Sequence, residues 1–125
     1  MQRADLLAKL KSAVDGLSYP SESDEPFDVV CWENPKKESL QALVAERAGN
    51  TRKLNCVAVD EFFDQLREAD DAKRFQNLRR VIEAVAQNIQ IFRVGDGEVR
   101  VDVYLIGYAK TDQSVVGVHT LSVET

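Results

Sequence analysis

Residues 91–109 read IFRVGDGEVRVDVYLIGYA, and this stretch decides the fold. The tripeptide at residues 95–97, Gly-Asp-Gly, lies between two runs rich in β-branched and aromatic residues, a pattern typical of a tight β-hairpin. After the turn, apolar and polar residues alternate at the period of two that a strand requires. The apolar set is Val99, Val101, Val103 and Leu105, against Arg100, Asp102 and Tyr104. A turn over residues 110–113 and a strand over 115–123 follow, so we expect an antiparallel meander.

The chain before this meander alternates between helical and strand patterns. Leu6, Leu10 and Val14 have the spacing of one buried helical face, and Gly16 ends that helix. The later patterns predict strands over 27–32 and 54–59, helices over 38–48 and 71–87, and a short helical turn over 60–66 that Asp60 caps. Residues 18–26 and the Asn34-Pro35 pair indicate exposed breaks. The order predicts one α+β domain, residues 1–125, with helices packed on a mixed, largely antiparallel sheet.

Composition limits the partners that this domain can take. The net charge is −5 and the pI is about 4.9, and the basic residues are spread along the chain. Direct nucleic-acid binding is therefore disfavoured, whereas a partner with a cationic or metal-containing cleft attracts such a surface. The sequence contains neither an apolar signal core at its start nor a run of the ~20 apolar residues that a membrane helix needs. We expect no membrane contact and a cytoplasmic location.

The residues that commonly carry chemistry are few and scattered. Zinc sites use three or four His or Cys ligands, and this chain has only Cys31, Cys56 and His119. His119 lies in an alternating strand, where a solvated or hydrogen-bonded side chain is the usual role. The cysteines read as two buried, reduced thiols, which form a disulfide only if their strands are adjacent. We predict no enzyme activity, no metal of its own and no cofactor; an enzyme built on Cys31, His119 or a carboxylate pair is the rival interpretation.

Charge asymmetry is the more informative feature. Residues 18–34 contain no Lys or Arg but five acids, which are Glu22, Asp24, Glu25, Asp28 and Glu33. Pro20 and Pro26 restrict the backbone and so lower the entropy that is lost on docking. One interpretation is a solvated connector. The functional interpretation is a pre-shaped loop that presents carboxylates to a cationic cleft.

A second oxygen-rich segment follows the last predicted strand. The sequence there is Ser122-Val123-Glu124-Thr125. A strand held in a sheet fixes the position of the residues that follow it directly. Thr125 would offer a hydroxyl and a terminal carboxylate, both hard oxygen ligands of the kind that Mg²⁺ prefers.

The same segments resemble the nuclease A inhibitor family, small bacterial proteins that block sugar-non-specific endonucleases. The resemblance covers most of the chain and rests on the order and spacing of short segments. These are Asp15-Gly16-Leu17, Ser21-Glu22-Ser23 before Pro26-Phe27, Trp32-Glu33, Val59-Asp60 with Phe62-Phe63, Phe75-Gln76, Asp102-Val103-Tyr104 with Ile106-Gly107, and Val123-Glu124-Thr125.

This resemblance implies a three-layer α/β/α sandwich and a one-to-one complex between a monomeric inhibitor and a ββα-metal nuclease. It also implies that Glu22, at the position of the family's loop glutamate, pairs with basic residues of the nuclease active site, and that Thr125, at the position of the family's terminal threonine, reaches the catalytic Mg²⁺ of the nuclease. We expect Asp24 and Glu25 to add electrostatic steering, Ser21 and Ser23 to add hydrogen bonds, and Glu124 to belong to the same contact surface.

One segment departs from the family pattern. The best-known form carries a longer insertion after Phe62-Phe63, with an aromatic residue that packs on the nuclease. Here residues 63–70 pass almost directly into the third helix and contain no tryptophan. Aromatic anchors are common hot spots of binding. A protein-binding module of the same fold with a non-nuclease partner is therefore the alternative function.

Overall fold

A computed structural model describes residues 3–33, 39–49, 51–112 and 114–124. Its elements are α1 (Arg3–Val14), β1 (Ser18–Tyr19), β2 (Glu25–Pro26), β3 (Asp28–Trp32), α2 (Leu40–Ala48), β4 (Leu54–Val57), α3 (Val59–Asp64), α4 (Ala72–Val85), β5 (Ala86–Val94), β6 (Arg100–Ala109) and β7 (Val115–Val123). Within these ranges, none of the helices has the length and apolar character needed to cross a membrane.

The main sheet has five strands in the order β3-β7-β6-β5-β4. Strands β5, β6 and β7 are neighbours in chain order, so the predicted meander is confirmed, and β7 has the predicted bounds. The expectation of a mixed sheet is wrong, because every strand pair in the described ranges is antiparallel. Strand β3 before α2 and strand β4 after it do not pair with each other. They lie at opposite edges of the sheet.

Apolar side chains are buried on both faces of this sheet. On one face, Leu10 of α1, Phe63 of α3 and Leu78 of α4 belong to the same core cluster as Val103 and Leu105 of β6. On the other face, α2 packs its buried residues against the alternate positions, with a cluster that contains Leu43, Val44, Phe92 and Ile106. Burying one such side chain contributes about 1.5–3 kcal/mol, so both faces stabilise the sheet.

The helix boundaries correct two predictions. Helix α4 ends at Val85 instead of residue 87, because the chain turns directly into β5 at Ala86. Asn88 has a positive φ of 55°, and the β5–β6 register shifts between Gln87 and Gln90, which marks a β-bulge. Asp60 does not cap α3: Ala58 is the N-cap, and Asp60 lies in the first turn, where an acid favours the helix dipole.

Helix α2 agrees with its pattern. Leu40, Leu43 and Val44 are buried as predicted, and the Ser39 side chain caps the helix by accepting a hydrogen bond from the Ala42 amide at 3.2 Å. The predicted break at Asn34-Pro35 lies outside the described residues.

The cysteines differ from the prediction of two buried thiols. Cys31 is half-buried on β3, Cys56 is exposed on β4, and both are free. Because β3 and β4 form the two opposite edges of the sheet, these thiols cannot form an intramolecular disulfide.

Candidate functional site

The acidic segment after α1 is a small hairpin, where the sequence predicted a loop without strands. Ser18 pairs with Pro26 and Tyr19 with Glu25, so residues 20–24 form the tip. The Ser21 hydroxyl donates to the Ser23 carbonyl at 2.7 Å, and the Ser23 hydroxyl donates to the Glu25 carboxylate at 3.2 Å. The two serines that were predicted to contact a partner thus form hydrogen bonds that shape the tip.

This acidic hairpin, residues 18–26, is attached to the end of β7. The Glu22 amide donates to the Val123 carbonyl at 3.2 Å, and the Val123 amide donates to the Ser21 hydroxyl at 3.1 Å. The Thr120 hydroxyl donates to the Pro26 carbonyl at 2.9 Å. Segments about one hundred residues apart in sequence therefore lie side by side, with Glu22 next to the final residues of the described chain. Thr125 itself lies outside the described residues.

Arg93, at the end of β5, holds the segment that follows β7. Its guanidinium pairs with the Glu124 carboxylate and, at 2.9 Å, with that of Asp96. Glu124 also accepts from the Ser122 hydroxyl at 2.8 Å, while its amide donates to the Val99 carbonyl at 2.8 Å. Glu124 is thus paired within its own chain, and a contact between this carboxylate and a partner remains a prediction.

These contacts shift the titration of both acids that surround Arg93. The hydrogen bond from Arg93 holds the pKa of Glu124 below its ordinary value, although partial burial opposes it. Burial by itself would raise the pKa of Asp96, but the hydrogen bonds from Asn55 and Arg93 outweigh it and leave that pKa lowered. Both carboxylates are therefore more acidic in the folded chain than in the unfolded one.

We predict that Arg93→Gln makes the free energy of unfolding depend less on pH under acidic conditions. Lowered pKa values mean that the unfolded chain binds more protons, so this stability is present above about pH 4 and is lost as the pH falls through the folded pKa values. Urea unfolding should show that the free energy of unfolding falls less between pH 7 and pH 3 for the variant than for the parent. Arg47→Gln is the control, because Arg47 lies over Trp32 and pairs with no carboxylate of the described residues. Equal losses in parent and Arg93→Gln would contradict this assignment.

An aromatic stack fixes the acidic hairpin on the sheet face that α1, α3 and α4 cover. The Tyr19 ring lies parallel to that of Phe62 of α3, with centroids 5.9 Å apart, and meets the edge of Phe27 at 6.3 Å. Burial raises the pKa of the Tyr19 hydroxyl. Stacked pairs add about 0.5–1.5 kcal/mol beyond the area that they bury, so the hairpin is held at both its base and its tip.

A concave acidic surface adjoins the same hairpin. Asp24 lines a cavity of about 450 Å³ together with three carboxylates of the turn before α4, which are Glu68, Asp70 and Asp71. Glu22 and Asp24 are exposed, and Glu25 is half-buried. Asp24 and these three carboxylates thus form an acidic concave surface beside the hairpin, and a positively charged surface is its complementary partner.

The sequence model of the nuclease A inhibitor-like protein family matches residues 4–125, essentially the whole chain. The chain belongs to this family. No curated protein matches the sequence. Membership of the nuclease A inhibitor-like family suggests a nuclease inhibitor, and it indicates a nuclease as the protein partner.

Membership of an inhibitor family also suggests that the chain is not an enzyme. Cys31 packs against the core on the face that α1, α3 and α4 cover, whereas His119 contacts Tyr104 on the opposite face, so the two do not form a Cys-His pair. The His119 Nε2 lies 2.7 Å from the Asp102 carboxylate. Burial would raise the pKa of Asp102, but the hydrogen bonds from Arg52 and His119 outweigh it and lower that pKa. Across the described ranges, no three His, Cys, Asp or Glu side chains are grouped as a metal site.

The sequence patterns indicate only part of this candidate surface. They singled out Glu22, Asp24 and Glu25, which lie together, but missed Arg93, Tyr19 and the acids at the cavity. A local charge count would have found the last group, since residues 60–71 contain six acids and one arginine. The role of Arg93 depends on the register of β5 with β6 and β7, which the sequence does not specify.

Proposed function

We propose that this chain inhibits a non-specific, Mg²⁺-dependent endonuclease by inserting the tip of the acidic hairpin and the residues after β7 into its active site. Glu22 pairs with basic side chains that would otherwise hold the scissile phosphate. Thr125 places an oxygen at the catalytic metal. Asp24 and Glu25 steer the approach, and Ser21 and Ser23 hold the hairpin in shape.

One observation supports this proposal most directly. The paired hydrogen bonds of Glu22 and Ser21 with Val123 bring the two oxygen-rich segments to one edge of the molecule. A rigid pair of segments loses little entropy on docking, which favours tight binding from a small contact area. The salt bridge between Arg93 and Glu124 supports the same rigidity in the segment after β7.

The inhibitory chemistry follows from what such a nuclease needs. Its Mg²⁺ must keep an open position for the phosphate and the attacking water, and its basic residues must stabilise the charge that develops on phosphorus. A carboxylate and a hydroxyl on the inhibitor occupy both kinds of position. Because these groups contain no phosphodiester bond, the nuclease cannot hydrolyse them and stays inhibited.

Helices with buried contacts on both sheet faces support a three-layer α/β/α arrangement. A monomeric free state and a cytoplasmic location complete the proposal, together with the absence of direct nucleic-acid binding, for which the net charge of −5 is the support.

Titration of the purified chain into a panel of Mg²⁺-dependent non-specific nucleases tests the function. We expect one-to-one inhibition of at least one member, with an association rate that falls roughly tenfold or more between low and high salt, since acidic residues steer the encounter. Stopped-flow measurement at two salt concentrations gives this rate. Absence of inhibition across the panel would contradict the proposed function.

The shortened turn between α3 and α4 favours a second candidate. Residues 65–71 form turns that place Arg67, Glu68 and Asp70 at the surface, with no aromatic anchor among them. A binding module of the same fold with another cationic partner fits that surface. Affinity capture with the parent and with Glu22→Ala separates the two functions: a nuclease retained only by the parent supports inhibition, and a different basic protein supports the alternative.

A further inference from the structure

A cationic pocket lies on the exposed face of α4, and neither the family nor the proposed inhibition assigns it a role. Its volume is about 570 Å³, and it is lined by Arg67, Ala72, Lys73, Gln76 and Arg80. Lys73, Gln76 and Arg80 are spaced by three and four residues, so they share one face of the helix. A concave surface with three cations stands out on a chain whose net charge is −5.

Two of these cations lack a carboxylate partner. Arg67 pairs with Asp64 at 3.2 Å, but Lys73 and Arg80 make no salt bridge with any acid of the described ranges. By contrast, Arg3, Arg52, Arg79 and Arg93 are all paired. Unpaired positive charges on one concave surface are a binding feature for an anion.

A neutral donor in the same pocket also lacks a partner. The Gln76 side-chain amide nitrogen is buried and donates no hydrogen bond to any of the described residues. Buried polar groups are normally paired, so an orphan donor calls for an explanation. Gln76 lines the pocket between Lys73 and Arg80, so an oxygen atom bound there would supply an acceptor once the Gln76 side chain turns towards the pocket.

The start of α4 contributes to the same charge. Ala72 and Lys73 are its first two residues, the first turn contains no acid, and the Asp71 side chain makes no cap hydrogen bond. These two residues line the pocket at the positive end of the helix dipole, whereas Asp70 and Asp71, directly before the helix, line the acidic cavity. Cationic side chains, an amide donor and a helix start together suit a tetrahedral oxyanion.

We infer that this pocket binds a phosphate group of a small ligand, either inorganic phosphate or a phosphomonoester. Its volume suits a small molecule. The acids before α4 and the overall negative charge disfavour a long polyanion such as nucleic acid, since repulsion grows with the number of phosphates. The inference stands independently of nuclease inhibition.

Titration of the ¹⁵N-labelled chain with inorganic phosphate and with methyl phosphate, at ionic strength held constant by chloride, tests the pocket. We expect saturable shifts of the Gln76 side-chain amide and of the Ala72 and Lys73 backbone amides, with a Kd in the low millimolar range or tighter. Stronger binding of methyl phosphate would identify a monoester as the source, and equal or weaker binding would identify free phosphate.

Lys73→Gln combined with Arg80→Gln should weaken phosphate binding about tenfold or more, since two charge-assisted contacts are lost. Lys11→Gln combined with Lys53→Gln changes the net charge equally at exposed positions outside the pocket and should leave the Kd unchanged. Equal affinity in the parent and the Lys73/Arg80 variant would overturn the inference. So would unsaturable shifts, or tighter binding of a thymidine dodecamer through the same residues, which would indicate nucleic acid instead.

Discussion

Replacing Glu22 with alanine is expected to raise the inhibition constant by roughly 30-fold or more, which corresponds to about 2 kcal/mol. The Glu22 side chain is exposed, and the contact that places it uses its backbone amide, which alanine retains. The hairpin should therefore keep its position while the charge that pairs with the nuclease is lost. Inhibition assays and thermal unfolding of the same preparations separate the two effects.

Two further variants make this result specific. Glu46→Ala removes an exposed carboxylate from α2, on the opposite sheet face, and should change inhibition little despite the same change in net charge. Thr125→Ala should weaken inhibition without lowering stability, because the hydroxyl is proposed to face the metal. A Glu22→Ala protein that inhibits as well as the Glu46→Ala protein would show that Glu22 is not the contact residue.

Gly117→Ala is expected to destabilise the fold by roughly 3 kcal/mol or more, since overpacking against backbone cannot be relieved by a change of rotamer. Gly117 lies in β7 opposite Val30 and Ile106. A Cβ at this position would lie 2.0 Å from the Leu105 carbonyl oxygen and 2.8 Å from the Ile106 Cα. The strand that carries the candidate site would have to shift as a whole.

Gly97→Ala is the matched control for this clash. Gly97 has a φ of 96° in the β5–β6 turn, and a Cβ there would meet nothing within 4 Å. Its cost is confined to the backbone conformation and should be about 1–2 kcal/mol. Differential scanning calorimetry should give a clearly lower Tm for Gly117→Ala than for Gly97→Ala. Equal Tm values would mean that β6 and β7 are not packed as described.

The sequence predicts those elements whose apolar pattern has a single interpretation. Strand β7 has its predicted bounds, because the turn before it and the alternation within it agree. The sequence pattern misplaces the junction of α4 and β5, because Ile82, Val85 and Ile89 continue the helical spacing across the point where the chain becomes a strand. Ile89 packs against the same core cluster from β5, so burial fits both patterns. The bulge at Asn88 has no signal of its own.

The sequence does not predict which distant segments of the chain pair with each other. The helix-strand alternation in the first half of the chain is compatible with β3 and β4 as parallel neighbours. Their positions at opposite edges of the sheet exclude that pairing. The acidic hairpin was recognised by its charge and prolines. Its attachment to Val123 depends on the path of the chain, and so does the salt bridge between Arg93 and Glu124. The sequence shows which charged residues the chain contains, but it does not show which of them contact each other in the fold.

The central claim is that the tip of the acidic hairpin and the segment after β7 form one contact surface for a nuclease. Heteronuclear NMR of the ¹⁵N-labelled chain, recorded free and with a saturating amount of an unlabelled nuclease that it inhibits, tests this most directly. We predict that the amides of Ser21, Glu22, Val123 and Glu124 show the largest shifts, together in one titration. Largest shifts at α2, with the amides near residues 22 and 123 unchanged, would contradict the account.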